Sequence, residues 1–295
     1  MTGEAVRLRV FDPGALTTVQ DRGRTGLAHL GVSRSGAADR GAHDLANRLV
    51  GNGPRAATLE SLLGGLVVEA TQGVWVAATG APVDVRVNGA RVGSHVAVFV
   101  PSGGRLAVGR PATGLRTYVA VRGGIAVPKV LGSRARDTLG RLGPEPLAAG
   151  DLVPMGRPGR RPLPGSDLVP VPAAGDGPLV VTIDPGPRTD WLSPEALAVL
   201  TGADYEVATD SDRVGVRLRG PALHRTRTDE LPSEGVLPGA VQVPPNGIPL
   251  VFLADAPTVG GYPIVAVVRE ADLDHLAQAR PGSRVRFRWG VRPDS

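Results

Sequence analysis

Apolar and charged positions alternate over residues 6–11, and short apolar runs follow at 66–70, 74–78 and 83–87. Their length and valine content are those of β-strands. The third run stops at Asn88-Gly89, a dipeptide that readily takes the positive φ angles of a tight hairpin turn. Further strands are predicted over 92–100, ending at Pro101-Ser102-Gly103-Gly104, and over 115–121, ending at Arg122-Gly123-Gly124. Leu152-Val153 closes the first half, and in the second half the run 249–254 reads as a buried strand.

A different period appears after Asp39. Ala42, Leu45, Ala46, Leu49 and Val50 recur at i, i+3, i+4, i+7 and i+8, one apolar stripe of a helix. Asp39 is its N-cap and Gly51 its left-handed C-terminal residue. His43 and Asn47 fall off the centre of the stripe. The pattern predicts a capped surface helix between polar loops at 20–24 and 51–60. A second helix starts at Ser193-Pro194-Glu195 and stops at Gly202. A third spans 271–279, with Leu273, Leu276 and Ala277 on one face and Pro281-Gly282 as the stop.

Three short strings recur in the same order in the two halves. Val10-Phe11-Asp12-Pro13-Gly14 returns as Thr182-Ile183-Asp184-Pro185-Gly186, and Val100-Pro101-Ser102-Gly103-Gly104 as Val243-Pro244-Pro245-Asn246-Gly247. Ala149-Gly150-Asp151-Leu152-Val153 returns as Pro281-Gly282-Ser283-Arg284-Val285. This order predicts an internal duplication. The expected fold is mainly β, with two barrel domains that close on themselves and so remove sheet edges, and a few short helices. The N-terminal domain is placed at 1–156 and the C-terminal domain at 178–295. The stretch 157–177, rich in Pro, Gly and Arg, is the linker.

Composition narrows the chemistry. There is no cysteine, which excludes disulfides, thiolate metal sites and a cysteine nucleophile, and fits a cytoplasmic location. No charged-then-apolar leader and no apolar run of membrane-spanning length is expected. The net charge is +5, but the basic residues are almost all arginines spread along the chain, and aromatics are 3%. A nucleic-acid reader would gather them on one face. Gly-x-x-x-x-Gly-Lys, His-Glu-x-x-His and Gly-x-Ser-x-Gly are absent, and the five histidines lack metal-ligand spacing. No metal site is expected.

The polar clusters are more informative. Gln20-Asp21-Arg22-Gly23-Arg24 sets a carboxylate and two guanidiniums beside a glycine, a group that can hold a carboxylate or carboxamide, or serve as a salt-bridged turn. Arg122-Gly123-Gly124 and Gly132-Ser133 can turn backbone N–H groups toward an anion, or be plain turns. The second half offers Ser211-Asp212-Arg213, Ser233-Glu234-Gly235, Gln242, Asp255 and Gly260-Gly261-Tyr262-Pro263, the last two beyond a buried strand where sites commonly form.

Together with Ser35-Gly36-Ala37-Ala38-Asp39, Ala46-Asn47-Arg48-Leu49-Val50-Gly51-Asn52, Leu59-Glu60 and Leu131-Gly132-Ser133, these motifs resemble, over nearly the whole chain, the KipA or allophanate-hydrolase subunit-two-like family. Its bacterial members include one of the subunits of 5-oxoprolinase, and the same module occurs in the carboxyltransferase region of biotin-dependent urea carboxylase. The resemblance implies two cyclophilin-like β-barrels. It implies ATP-dependent opening of 5-oxoproline to glutamate, together with a KipI-like partner and a LamB/YcsF-like partner. ATP would be bound by the complex. The alternatives are a carboxyltransferase module, which alone would call for biotin, and a regulatory protein opposing a KipI-type kinase inhibitor. The chain departs from the family at Arg136, Ile248, Pro257 and Val259, where polar side chains are common. The residues expected to act catalytically are Asp21, Glu60, Asp255 and Tyr262. Those expected to bind substrate are Arg24, Asp39, Arg122 and Arg213.

Overall fold

The computed structural model describes residues 7–164 and 177–290. Residues 165–176 of the expected linker lie outside the described residues. The chain divides into two compact units. The first contains Asp39–Asp137 and the stretches flanking it; the second contains the C-terminal half together with Thr25–Ala38 and Thr138–Gly140.

The first unit runs β1 (Arg7–Pro13), β2 (Leu16–Gln20), α1 (Arg40–Leu49), β3 (Thr58–Leu62), β4 (Leu66–Ala70), β5 (Val74–Gly80), β6 (Val85–Val87), β7 (Ala90–Arg91), β8 (Ala97–Val100), β9 (Arg105–Val108), β10 (Arg116–Val121) and β11 (Leu152–Pro154). These form two sheets, β11-β1-β4-β9-β6-β7 and β2-β3-β10-β5-β8. One core fills the space between them, with Leu8, Val10, Leu66, Val68 and Leu106 from the first and Val19, Leu59, Val76 and Val119 from the second. The closure expected of this half is thus replaced by two sheets packed face to face. Asn88 and Gly89 have φ of 50° and 84° and join β6 to β7 in the expected hairpin.

The second unit runs β12 (Leu179–Pro185), α2 (Pro194–Gly202), β13 (Asp204–Val207), β14 (Gly215–Arg219), β15 (Glu234–Gly235), β16 (Ala240–Gln242), β17 (Leu250–Phe252), β18 (Val259–Gly260), β19 (Ile264–Val268), α3 (Glu270–Ala277) and β20 (Arg284–Trp289). Seven of these strands close a barrel in the order β12-β19-β16-β17-β14-β13-β20. β20 shows why: Val285 and Phe287 point into the core while Arg284, Arg286 and Arg288 face water, the period-two pattern of a half-buried strand. The repeated Asp-Pro-Gly strings end β1 and begin the turn after β12. The closing strands differ: β11 lies antiparallel to β1, whereas β20 lies parallel to β12 and antiparallel to β13.

Several local expectations change. The loop expected over 51–60 ends as β3, and Thr58, Leu59, Glu60 and Ser61 are all buried. The strand expected over 92–100 begins only at Ala97, because Gly93 and His95 hold positive φ and turn the chain first. The buried face of α1 includes His43 and Asn47, both fully buried, while Leu45 is only half-buried. Asn47 Nδ2 donates to Ala56 O at 2.9 Å, and His43 Nδ1 lies 3.1 Å from Asp44 Oδ1. The buried face of α1 thus mixes Ala42, Ala46 and Leu49 with two polar side chains.

Asp39 caps α1 as expected, its Oδ1 accepting from Ala42 N at 2.8 Å. Asp39→Ala is expected to lower stability by about 0.5–2 kcal/mol. Urea unfolding followed by circular dichroism would show it as a lower midpoint at unchanged slope.

Candidate active site

Strand register places four polar side chains in one row across the second sheet of the first unit. Thr18 on β2 faces Glu60 on β3, Glu60 faces Tyr118 on β10, and Tyr118 faces Thr79 on β5. The alternate residues Val19, Leu59, Val119 and Ala78 lie in the core on the other face. α1 covers the polar face, where Thr79 Oγ1 donates to Ala42 O at 2.6 Å.

Tyr118 is the centre of this row. Its hydroxyl accepts from Asp39 N at 2.8 Å and donates to Glu60 Oε2 at 2.7 Å. Arg116 Nε stands 3.5 Å from Glu60 Oε1, and both side chains are almost wholly buried. Burial pushes the Tyr118 hydroxyl well above its ordinary pKa, and the Glu60 and Asp39 charges push the same way. The phenol stays neutral and relays a hydrogen bond between helix cap and carboxylate. On the same strand as Thr18, Gln20 Nε2 donates to Thr18 Oγ1 and Arg136 O, both at 3.0 Å.

The cluster at Gln20 to Arg24 closes on a neighbouring loop. The Asp21 carboxylate accepts from Ser133 Oγ at 2.5 Å, Arg134 N at 2.7 Å and Gly23 N at 2.8 Å. Arg24 donates to Val130 O at 3.1 Å and to Ala135 O at 2.7 Å. Arg22 pairs instead with Asp44 of α1. Arg122 donates to Val50 O at 3.2 Å and Arg161 O at 2.6 Å, and Gly123 N in its turn donates to Asn52 Oδ1 at 2.8 Å. Arg136 meets Glu145 at 2.7 Å.

In the second unit Asp255 is fully buried at the centre of a saturated cluster. Its Oδ1 accepts from Ser35 Oγ at 2.6 Å and Arg213 Nη2 at 3.0 Å. Its Oδ2 accepts from Thr138 Oγ1 at 2.7 Å and from Thr138 N and Arg213 Nε at 2.9 Å. Arg213 Nη2 also reaches Gly36 O at 2.5 Å. Burial pushes the carboxyl up, but the Arg213 charge and the hydrogen bonds from Arg213, Ser35 and Thr138 outweigh it and hold the group below the usual carboxylate range. Tyr262 is about half exposed, and its carbonyl accepts from Gln242 Nε2 at 3.1 Å.

The structure therefore joins Asp39 to Glu60 through Tyr118, sets Asp21 and Arg24 around one loop, and pairs Arg213 with Asp255. Arg122 and Tyr262 stand apart from these groups. Sequence reasoning missed Tyr118, Arg116, Thr18 and Thr138. The signal available was polar residues at spacing two inside otherwise buried strands: Thr18 with Gln20, Thr58 with Glu60, Arg116 with Tyr118.

The chain belongs to the family described as carboxyltransferase domain, subdomain A and B, whose model matches residues 30–289. It is 38% identical to one of the 5-oxoprolinase subunits of Escherichia coli K12 over 283 residues, 95% of this chain and 90% of that protein. The crystal structure of TTHA0988 superposes with a TM-score of 0.85 at 38% identity, covering 97% of this chain and 56% of that one. The K. lactis urea amidolyase superposes with a TM-score of 0.88 at 30% identity, over 97% of this chain and 19% of that protein. The chain thus spans about half of the first of these structures and a fifth of the second.

Tyr118→Phe removes the hydroxyl that donates to Glu60 Oε2 and accepts from Asp39 N, so a loss of about 1–3 kcal/mol is expected in urea unfolding. Asp255→Asn, which takes the opposing negative charge from the buried Arg213 guanidinium, is expected to cost about 3–5 kcal/mol. The sign of the pH effect follows from the depressed folded-state pKa of Asp255. Its contribution is fully present above the unfolded carboxylate value of about 3.9 and is lost as pH falls through the lower folded value. Urea midpoints measured from neutral to acid pH are expected to drop more steeply for the native chain than for Asp255→Asn.

Proposed function

We propose that this chain is one component of an ATP-dependent 5-oxoprolinase that opens 5-oxoproline to L-glutamate, working with a KipI-like partner and a LamB/YcsF-like partner. The observation that carries the reading is the match to a separate polypeptide over nearly its whole length, 90% of the E. coli 5-oxoprolinase component. In this reading ATP is bound by the assembled complex, and the chain contributes substrate contacts and proton handling.

Glu60 supports the proton-handling role best, a buried carboxylate held in place by the neutral Tyr118 phenol. Tyr262 offers an exposed hydroxyl for a developing oxyanion. Asp21 and Asp255, whose oxygens already accept several donors, act as positioning residues that hold the 130–136 and 33–36 loops. Arg24, Arg122, Asp39 and Arg213 position the same loops and the cap of α1. A second reading, a carboxyltransferase module acting with biotin carried by a partner, is favoured by the family match and the superposition on urea amidolyase.

The test is to purify this chain, a KipI-like protein and a LamB/YcsF-like protein, and to assay ATP-dependent glutamate release for each alone and for every mixture. Turnover is expected only from the full mixture. Full turnover by this chain alone, or by the other two without it, overturns the proposal. Within the active mixture, Glu60→Gln is expected to lower kcat by roughly 10²-fold with KM little changed.

A further inference from the structure

The barrel of the second unit carries a cleft of about 340 Å³ on its outer surface, at the lower end of the range of small-molecule sites. It lies over β14 and under the loop that joins β16 to β17. Its floor is apolar and stiff: Ile248, Pro249 and Leu250 line it. Its polar wall is Arg217 and Arg219, successive outward residues of β14 whose intervening neighbour Leu218 faces the core, with Thr209 and the Asp210 carboxylate beside them. Asn246 stands at the rim, its Oδ1 occupied by Ile248 N at 3.1 Å, which turns its amide nitrogen into the available donor.

Both arginines have only loose carboxylate neighbours. Arg217 is 3.5 Å from Asp210 and Arg219 is 3.8 Å from Glu206, all four side chains being more than half exposed. Exposed pairs of that length contribute little, so an incoming anion can displace them. Alternate residues of a strand are separated by about 6.5–7 Å, which sets the distance between the roots of the two guanidiniums. A short dicarboxylate spans that distance with one carboxylate on each arginine, and its methylene spacer then lies on Ile248 and Leu250.

We propose that this cleft binds a short dicarboxylate, with Arg217 and Arg219 as its two anchors. The inference stands on this cleft alone and is independent of the reaction proposed above.

The test is isothermal titration calorimetry of the full chain with glutarate, alongside butyrate, which has one carboxylate, and inorganic phosphate. One saturable glutarate site per chain is expected. Arg217→Ala and Arg219→Ala are each expected to weaken it about tenfold or more, the loss of one charge-assisted contact. Arg86→Ala, on the surface of the first unit, is expected to leave it unchanged and controls for the general basicity of the chain. Amide chemical-shift changes on adding glutarate are expected at 208–219 and 244–250, and this readout needs no variant to fold. Absence of saturable binding, equal binding of butyrate or phosphate, equal weakening by Arg86→Ala, or shift changes elsewhere would each overturn the proposal.

Discussion

The hydroxyl of Tyr118 is the hinge on which the first unit's architecture turns. A sheet whose second face is covered by a helix usually shows that helix an apolar surface. Here the covered face presents Thr18, Glu60, Tyr118 and Thr79 instead. Burying a carboxylate is costly unless it is hydrogen-bonded and paired. Tyr118 and Arg116 meet that condition for Glu60, and the hydroxyl also takes up the N–H of the residue that caps α1. Cap, helix position and sheet polarity are therefore consequences of one shared oxygen. The buried His43 and Asn47 of α1 are satisfied instead by Asp44, the Ala56 carbonyl and Asn52.

This explains what was legible in the sequence and what was not. Strands with one dry face and one wet face, such as β1, announce themselves by alternation, and β4 is found where its apolar run places it. The caps of α1 and α2 are equally plain, because Asp39 and Ser193 do locally what their chemistry dictates. β2 and β3 are not legible in this way. Their polar residues are buried, so β2 shows no strand pattern and the usual equation of polar with exposed places residues 58–60 of β3 in a loop. The residues of the candidate site were half visible. Asp39, Glu60, Arg213 and Asp255 stand out as charges in motifs, but Tyr118 and Thr138 matter only through partners 58 to 117 residues away.

The arginine-rich character of the chain also acquires a meaning that composition could not supply. Arg24 and Arg122 spend their donors on backbone carbonyls, fixing loops rather than displaying charge. A guanidinium suits this task because its planar fork serves two carbonyls at once. Arg213 does the same for Gly36 while neutralising Asp255. These few arginines are in this sense internal fasteners, a role that composition alone could not reveal.

Thr25–Ala38 belongs to the second unit although it is made early. Ser35 finds Asp255 across 220 residues of chain. At ribosomal speeds that separation corresponds to a wait on the order of ten to forty seconds. Throughout that wait the segment lacks the carboxylate and guanidinium that later hold it. The second unit thus includes a piece synthesised before any of its own strands.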